Sequence, residues 1–208
     1  MSCFILFSFY NEFVTTFLLI RHGLTDAVGH KITGRLPGVY LNETGRKQAE
    51  SLPARLEQFQ VTAIYSSPLE RALETARPLA HSLQMAVHQS EALSEFDFGE
   101  WSGISLSELH QREDWKMFNL FRSSTRAPGG ELMTEVQTRT VSELHRLGQE
   151  HDGGTAALFS HADAIKAMLL HYLGMPLDHI HRLEISPASI SVVRLHPWGV
   201  QVWAINLT

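Results

Sequence analysis

The chain is poor in cysteine, with one residue in 208, Cys3. That excludes an intramolecular disulfide framework and a cysteine-rich zinc site. It fits a reducing compartment, and the cytoplasm is the expected location. The chain is also poor in charge: Asp, Glu, Lys and Arg make up 19% of it, against 44% apolar residues. Such a composition folds rather than staying disordered. There is no excess of basic residues. The formal net charge is -5, so no global attraction to nucleic acid or to an anionic membrane is expected. Long apolar runs are missing. The N-terminal stretch Phe4-Ile5-Leu6-Phe7 and Phe9-Tyr10 is interrupted by Asn11 and Glu12, and carries neither early Lys or Arg nor a small-residue cleavage pattern. Neither a signal peptide nor a stable membrane span is expected from it. Residues 1–14 read as an extension: a tail, or an extra strand packed on the domain. Weak membrane contact is the lesser alternative.

What remains, 15–208, has no internal repeat, low-complexity tract or linker and is large enough for one substantial core. Apolar and β-branched runs predict strands over 15–21, 61–65, 85–88, 155–159, 183–186, 189–195 and 200–207. Helical spacing predicts helices over 45–58, from Ser66-Ser67-Pro68 to about 83, over 131–149, and from Ser160-His161 to about 173. Leu106, Leu109, Trp115 and Leu120 make 104–123 helical, part of an insert over one end of the core near 104–128. The order βαβα followed by a hairpin implies an α/β domain of three layers. Its sheet is mostly parallel, with helices on both faces and an antiparallel edge.

Three chemically loaded segments follow predicted strands: Arg21-His22-Gly23, Ser66 through Arg71, and Ser160-His161. In a parallel sheet such loops gather at one edge, where ligands bind. Taken singly, each residue has an ordinary alternative: a paired arginine, a hydrogen-bonded core histidine, a solvated helix charge. Taken together they suit phosphate. Arginine holds two phosphate oxygens at once. A neutral imidazole attacks phosphorus, and nearby arginines keep it neutral. No compact cluster of metal ligands is seen, and no metal or cofactor is expected, because arginine and histidine supply the electrostatic work.

With these residues the sequence resembles the histidine phosphatase superfamily, also called the phosphoglycerate mutase-like family. The opening motif stands as Leu19-Ile20-Arg21-His22-Gly23-Leu24-Thr25. The middle one is Tyr65-Ser66-Ser67-Pro68-Leu69-Glu70-Arg71-Ala72-Leu73-Glu74-Thr75-Ala76. The acidic segment is Leu93-Ser94-Glu95-Phe96-Asp97-Phe98-Gly99-Glu100-Trp101-Ser102-Gly103, and the second histidine lies in Phe159-Ser160-His161. The resemblance spans about 15 to 205. It implies hydrolysis of a small phosphomonoester, with His22 as nucleophile, Arg21 and Arg71 on the phosphoryl oxygens, His161 as donor, and Glu95 as acid and then base. It selects Glu95 over the rivals Glu91, Asp97 and Glu100, which spacing alone leaves open. Thr33 and the Ala162 N–H are expected to contribute backbone donors, and Asp163 is expected to point away. Phosphomutase action and a phosphate-binding domain with little turnover are the alternatives. A small phosphorylated metabolite is the expected partner, and a homodimer is compatible. Leu24, Val28, Gly38-Val39-Tyr40 and Ala162-Asp163 depart from the common family pattern and imply altered pocket walls.

Overall fold

A computed structural model describes residues 14–208. All but the last residue of the expected 1–14 extension lies outside the described residues. Six strands form one sheet: β1 (Thr15–Arg21), β2 (Ala63–Ser66), β3 (Val87–Gln89), β4 (Thr155–Ser160), β5 (Ile190–His196) and β6 (Gly199–Leu207). They run in the order β3-β2-β4-β1-β5-β6. The β1–β4, β4–β2 and β2–β3 pairings are parallel, and β1–β5 and β5–β6 are antiparallel. The mostly parallel sheet with an antiparallel edge is therefore present.

The central strands are apolar on both faces, as a sheet covered on both sides requires. Phe17, Leu19, Ala156 and Leu158 point to one core, together with Leu144, Leu147 and Met168. Those last three come from α5 (Met133–Glu150) and α6 (Ala162–Tyr172). Leu18, Ile20, Ala157 and Phe159 point the other way, onto Leu52, Leu56, Ala76 and Leu79 of α1 (Glu43–Leu56) and α2 (Glu70–Leu83). Each fully buried Leu or Ile contributes roughly 1.5–3 kcal/mol of transfer free energy.

Three departures from expectation have local causes. Helix α2 begins at Glu70 rather than at 66–68, because the Ser67 N–H still donates to Phe159 O (2.9 Å) and prolongs the sheet ladder. The helical insert is broken into α3 (Leu106–Leu109) and α4 (Glu113–Leu120), with Arg112 extended between them. The strand expected over 183–186 does not form. Its backbone groups are taken by side chains: Ile185 O accepts from Arg21 Nη1 (2.6 Å), and Ser186 N–H donates to Asn206 Oδ1 (2.6 Å). The free edge of β1 is occupied by β5. No described helix is long and apolar enough to cross a membrane.

Candidate active site

The carboxyl ends of β1, β2 and β4 lie level. Arg21 pairs with Ser160, and Ser66 with Phe159. The ladder continues one residue further, His22 N–H donating to Ser160 O at 3.0 Å. Adjacent strands of one parallel sheet thus carry His22, the start of α2 and His161 to the same edge. The His22 and His161 rings lie 5.2 Å apart between centroids.

The Gly23 loop sits directly on the first turn of α1. A Cβ on Gly23 would stand 2.6 Å from Gly45 O, and one on Gly45 only 2.0 Å from Leu24 O. This backbone contact requires glycine on both sides. The Gly23 N–H also donates to Thr75 Oγ1 (2.9 Å), whose hydroxyl donates to Arg71 O (2.6 Å). The His22 loop and the Arg71 helix are locked together.

His22 is nearly buried, and its Nδ1 lies 2.7 Å from Gly23 O. A carbonyl oxygen only accepts, so Nδ1 carries the proton and Nε2 presents its lone pair. Burial, then Arg71 and Arg21, hold its pKa well below the usual imidazole range. His161 is shifted the same way by burial, Arg71, His22, Arg21 and Arg139. Its Nε2 lies 2.8 Å from Ser67 Oγ, which accepts from the Leu69 N–H and is free to give its own proton to the ring. The ring proton then sits on Nδ1.

Arg21 and Arg71 are each anchored at one end, on Ile185 O and on Gly34 O (2.7 Å). Arg21 Nε, Arg71 Nε and Nη1, and His161 Nδ1 are buried without a partner among the described residues. Buried donors left unpaired cost about 1–3 kcal/mol each. Four of them at one sheet edge make a cradle for an anion.

A cavity of about 170 Å³ lies against this cradle. Arg21, His22, Arg71, Glu95, Thr33 and Ala162 line it, and His161 packs behind against His22. All seven residues expected from the sequence are brought together. Asp163 also lines the cavity, contrary to expectation. Its carboxylate is turned onto Arg122 (2.9 Å). Arg122 is itself buried, and its guanidinium stacks 4.2 Å from the Phe118 ring centroid. Among the described residues no group of three or more His, Cys, Asp or Glu side chains is placed to hold a metal ion.

Glu95 Oε1 accepts from the Phe96 N–H (2.9 Å). Burial, then the charge of Asp163, raise its pKa, against the pull of Arg71 and Arg21. For Asp163 burial works in the same upward direction, but Arg122 and Lys166 outweigh it and keep that carboxyl low. The rival Asp97 instead accepts the Gly99 N–H (2.9 Å). Glu70 and Glu74 accept the backbone N–H groups of Gly38 (3.0 Å) and Leu41 (2.8 Å). They tie the loop before α1 to α2.

Two further residues hold the Glu95 segment in place. Arg139 on α5 donates to Ala92 O (2.7 Å), Ser94 O (2.8 Å) and Glu95 O (3.0 Å), and it pairs with Glu131. Arg35, which reads from sequence as a phosphate-facing or solvent-facing charge, donates to Glu95 O (2.9 Å) and to Glu131 (2.7 Å). No sequence signal marks Arg139, since an arginine within an amphipathic helix reads as surface. Arg139→Met is expected to lower kcat about tenfold and to cost roughly 2–3 kcal/mol, because Ala92 O and Ser94 O lose their donor and Glu131 and Glu95 O each lose one of theirs. Urea unfolding beside steady-state kinetics checks this. Unchanged kcat would remove the positioning role.

The histidine phosphatase superfamily (branch 1) model matches residues 17–208. Over 196 residues the chain is 28% identical to phosphoserine phosphatase 1 of Hydrogenobacter thermophilus, covering 92% of each. Over 203 residues it is 32% identical to the bifunctional protein Rv2228c of Mycobacterium tuberculosis, covering 93% of this chain but 54% of that one. The chain thus spans about half the length of that relative. The mycobacterial glucosyl-3-phosphoglycerate phosphatase Rv2419c superposes with a TM-score of 0.84 at 25% identity, over 94% of this chain and 100% of that one. The chain belongs to the histidine phosphatase superfamily, branch 1, as a phosphomonoester hydrolase with a histidine nucleophile.

Proposed function

We propose that the catalytic group of this chain is His22, with Glu95 as acid and base, Arg21, Arg71 and His161 on the phosphoryl oxygens, and Thr33 and the Ala162 N–H on the cavity rim. One observation carries this reading. A neutral imidazole, its Nδ1 proton committed to Gly23 O, shares a small cavity with unpaired arginine donors. In the first step His22 Nε2 attacks phosphorus as the ester P–O bond breaks, and Glu95 gives its proton to the leaving alcohol oxygen. In the second, carboxylate Glu95 takes a proton from water, the hydroxide bonds to phosphorus, and the P–N bond breaks to release phosphate. Charge on the equatorial oxygens is met by fixed donors. The substrate class is a small phosphorylated metabolite, and the relatives' activities on phosphoserine and glucosyl-3-phosphoglycerate belong to the same class. No step uses a metal. Phosphate release from a phosphomonoester panel in EDTA tests the proposal. Turnover in chelator supports it, and turnover that needs an added metal ion contradicts it.

Glu95 must be protonated for the first step, and burial together with Asp163 raises its pKa. In kcat/KM, activity therefore falls as pH rises through that raised value. Asp163→Asn removes the repulsion and frees the Arg122 charge. The Glu95 pKa then drops, and the basic limb of the profile moves to lower pH. A limb that stays in place would show that Asp163 does not act on the acid.

A further inference from the structure

Beside the phosphate cavity lies a larger one, about 730 Å³. Ile32, Phe98, Leu106 and Asp163 line both cavities, so the two adjoin. The larger chamber is also walled by Trp115 and Leu120 of α4. A third cavity, about 370 Å³, shares Thr25, Ala27 and Lys31 with the phosphate cavity. An ester whose phosphorus sits at His22 sends its alcohol portion into one of these two spaces.

The acid decides which. The leaving oxygen must lie at the Glu95 carboxyl to take its proton. Phe98, three residues on in the loop that carries Glu95, and Asp163 line the phosphate cavity together with Glu95. Both also line the larger chamber, and neither lines the third cavity.

The chamber's chemistry then selects the alcohol. Most of its exposed lining is apolar, and the charges of Lys116, Arg122 and Asp163 are paired. Lys116 pairs with Glu113 (2.6 Å) and Arg122 with Asp163 (2.9 Å). Asn119 Oδ1 is occupied by Arg122 Nη2 and His181 Nε2, each at 3.0 Å. A short acidic alcohol would leave the apolar wall unfilled and meet no unmatched cation. We propose that the chamber under α4 is the leaving-group subsite, and that it takes an uncharged, predominantly apolar alcohol of aromatic-ring size. The proposal rests on the assignment of His22 and Glu95 above.

Primary alkyl esters test it, because their leaving oxygens are chemically alike. The comparison is naphthylethyl phosphate against ethyl phosphate and phosphoserine, on the full chain. Burying roughly 80 Å² of ring at about 25 cal/mol/Å² corresponds to about 30-fold in kcat/KM for the naphthyl ester. Leu120 is 62% exposed at the chamber's edge, so Leu120→Glu tests the wall without disturbing the core. It is expected to cut the naphthylethyl-to-ethyl ratio about tenfold. Tyr40→Ala, in the third cavity, leaves that ratio where it was. Equal turnover of the esters, preference for phosphoserine, or a ratio that follows Tyr40 rather than Leu120 overturns the subsite. Absence of turnover on every ester overturns the catalytic assignment, and the subsite with it.

Discussion

Replacing His22 with alanine is expected to lower kcat/KM for phosphate release by about 10⁴-fold or more. The size of the effect follows from the geometry. His22 Nε2 is the lone pair that the cavity presents, and its tautomer is set by the 2.7 Å contact between Nδ1 and Gly23 O. His161 does not replace it, because its Nε2 is committed to Ser67 Oγ. The cradle formed by Arg21, Arg71 and His161 remains, so the variant should still bind inorganic phosphate within a few-fold of the parent. Phosphate titration by calorimetry beside the kinetics separates lost chemistry from lost binding. Activity surviving in His22→Ala would contradict a covalent histidine step.

The second large effect concerns Glu95, and it runs in opposite directions for activity and stability. Glu95→Gln is expected to lower turnover of alkyl phosphates by about 10²–10⁴-fold, since glutamine neither donates nor takes the proton. The same change is expected to raise Tm near neutral pH. The folded-state pKa of Glu95 lies above its unfolded value. The stability tied to this carboxyl is therefore full below the unfolded pKa of ordinary carboxylates and is lost as pH rises through the raised value. At neutral pH folding must either bury this charge beside Asp163 or take up a proton, a net cost in both cases, and the neutral amide avoids it. The buried histidines work the other way. Their folded pKa values are depressed, so the stability they confer is present above the ordinary histidine pKa and is lost on acidification below it. Thermal melts against pH check both signs. A Glu95→Gln variant less stable than the parent at neutral pH would show that its hydrogen bond to the Phe96 N–H outweighs the buried charge.

The strands that position the site were readable because their apolar runs are unbroken: 15–21 became β1 at the same residues, and Phe159 and His161 followed from the run at 155–159. His22 and His161 stood out because each directly follows such a run. Glu95 did not stand out on residue chemistry, with Glu91, Asp97 and Glu100 nearby; the family resemblance selected it, and the fold places Glu95, not Asp97, in the cavity wall. What stayed hidden depends on packing between distant segments. Arg139 reaches the 92–95 carbonyls only because α5 lies against that loop. Asp163 lines the cavity because Arg122, 41 residues away in sequence, holds it there. The basic insert residues likewise divided only in three dimensions: Arg112, Lys116 and Arg126 form exposed ion pairs with Asp114, Glu113 and Glu135, whereas Arg122 is buried. The 183–186 segment has a strand's composition, but β5 takes the β1 edge and side chains take Ile185 O and Ser186 N–H.

The measurement closest to the central claim is the fate of the phosphoryl group in Glu95→Gln given an aryl phosphate. Its leaving group departs without an acid, while hydrolysis of the intermediate is slowed. After quenching at alkaline pH and proteolysis, mass spectrometry should find one phosphoryl group on the peptide carrying His22 and none in a His22→Ala/Glu95→Gln control. A phosphoryl group on another residue, or aryl alcohol released with no phosphorylated enzyme at any time, would contradict the account.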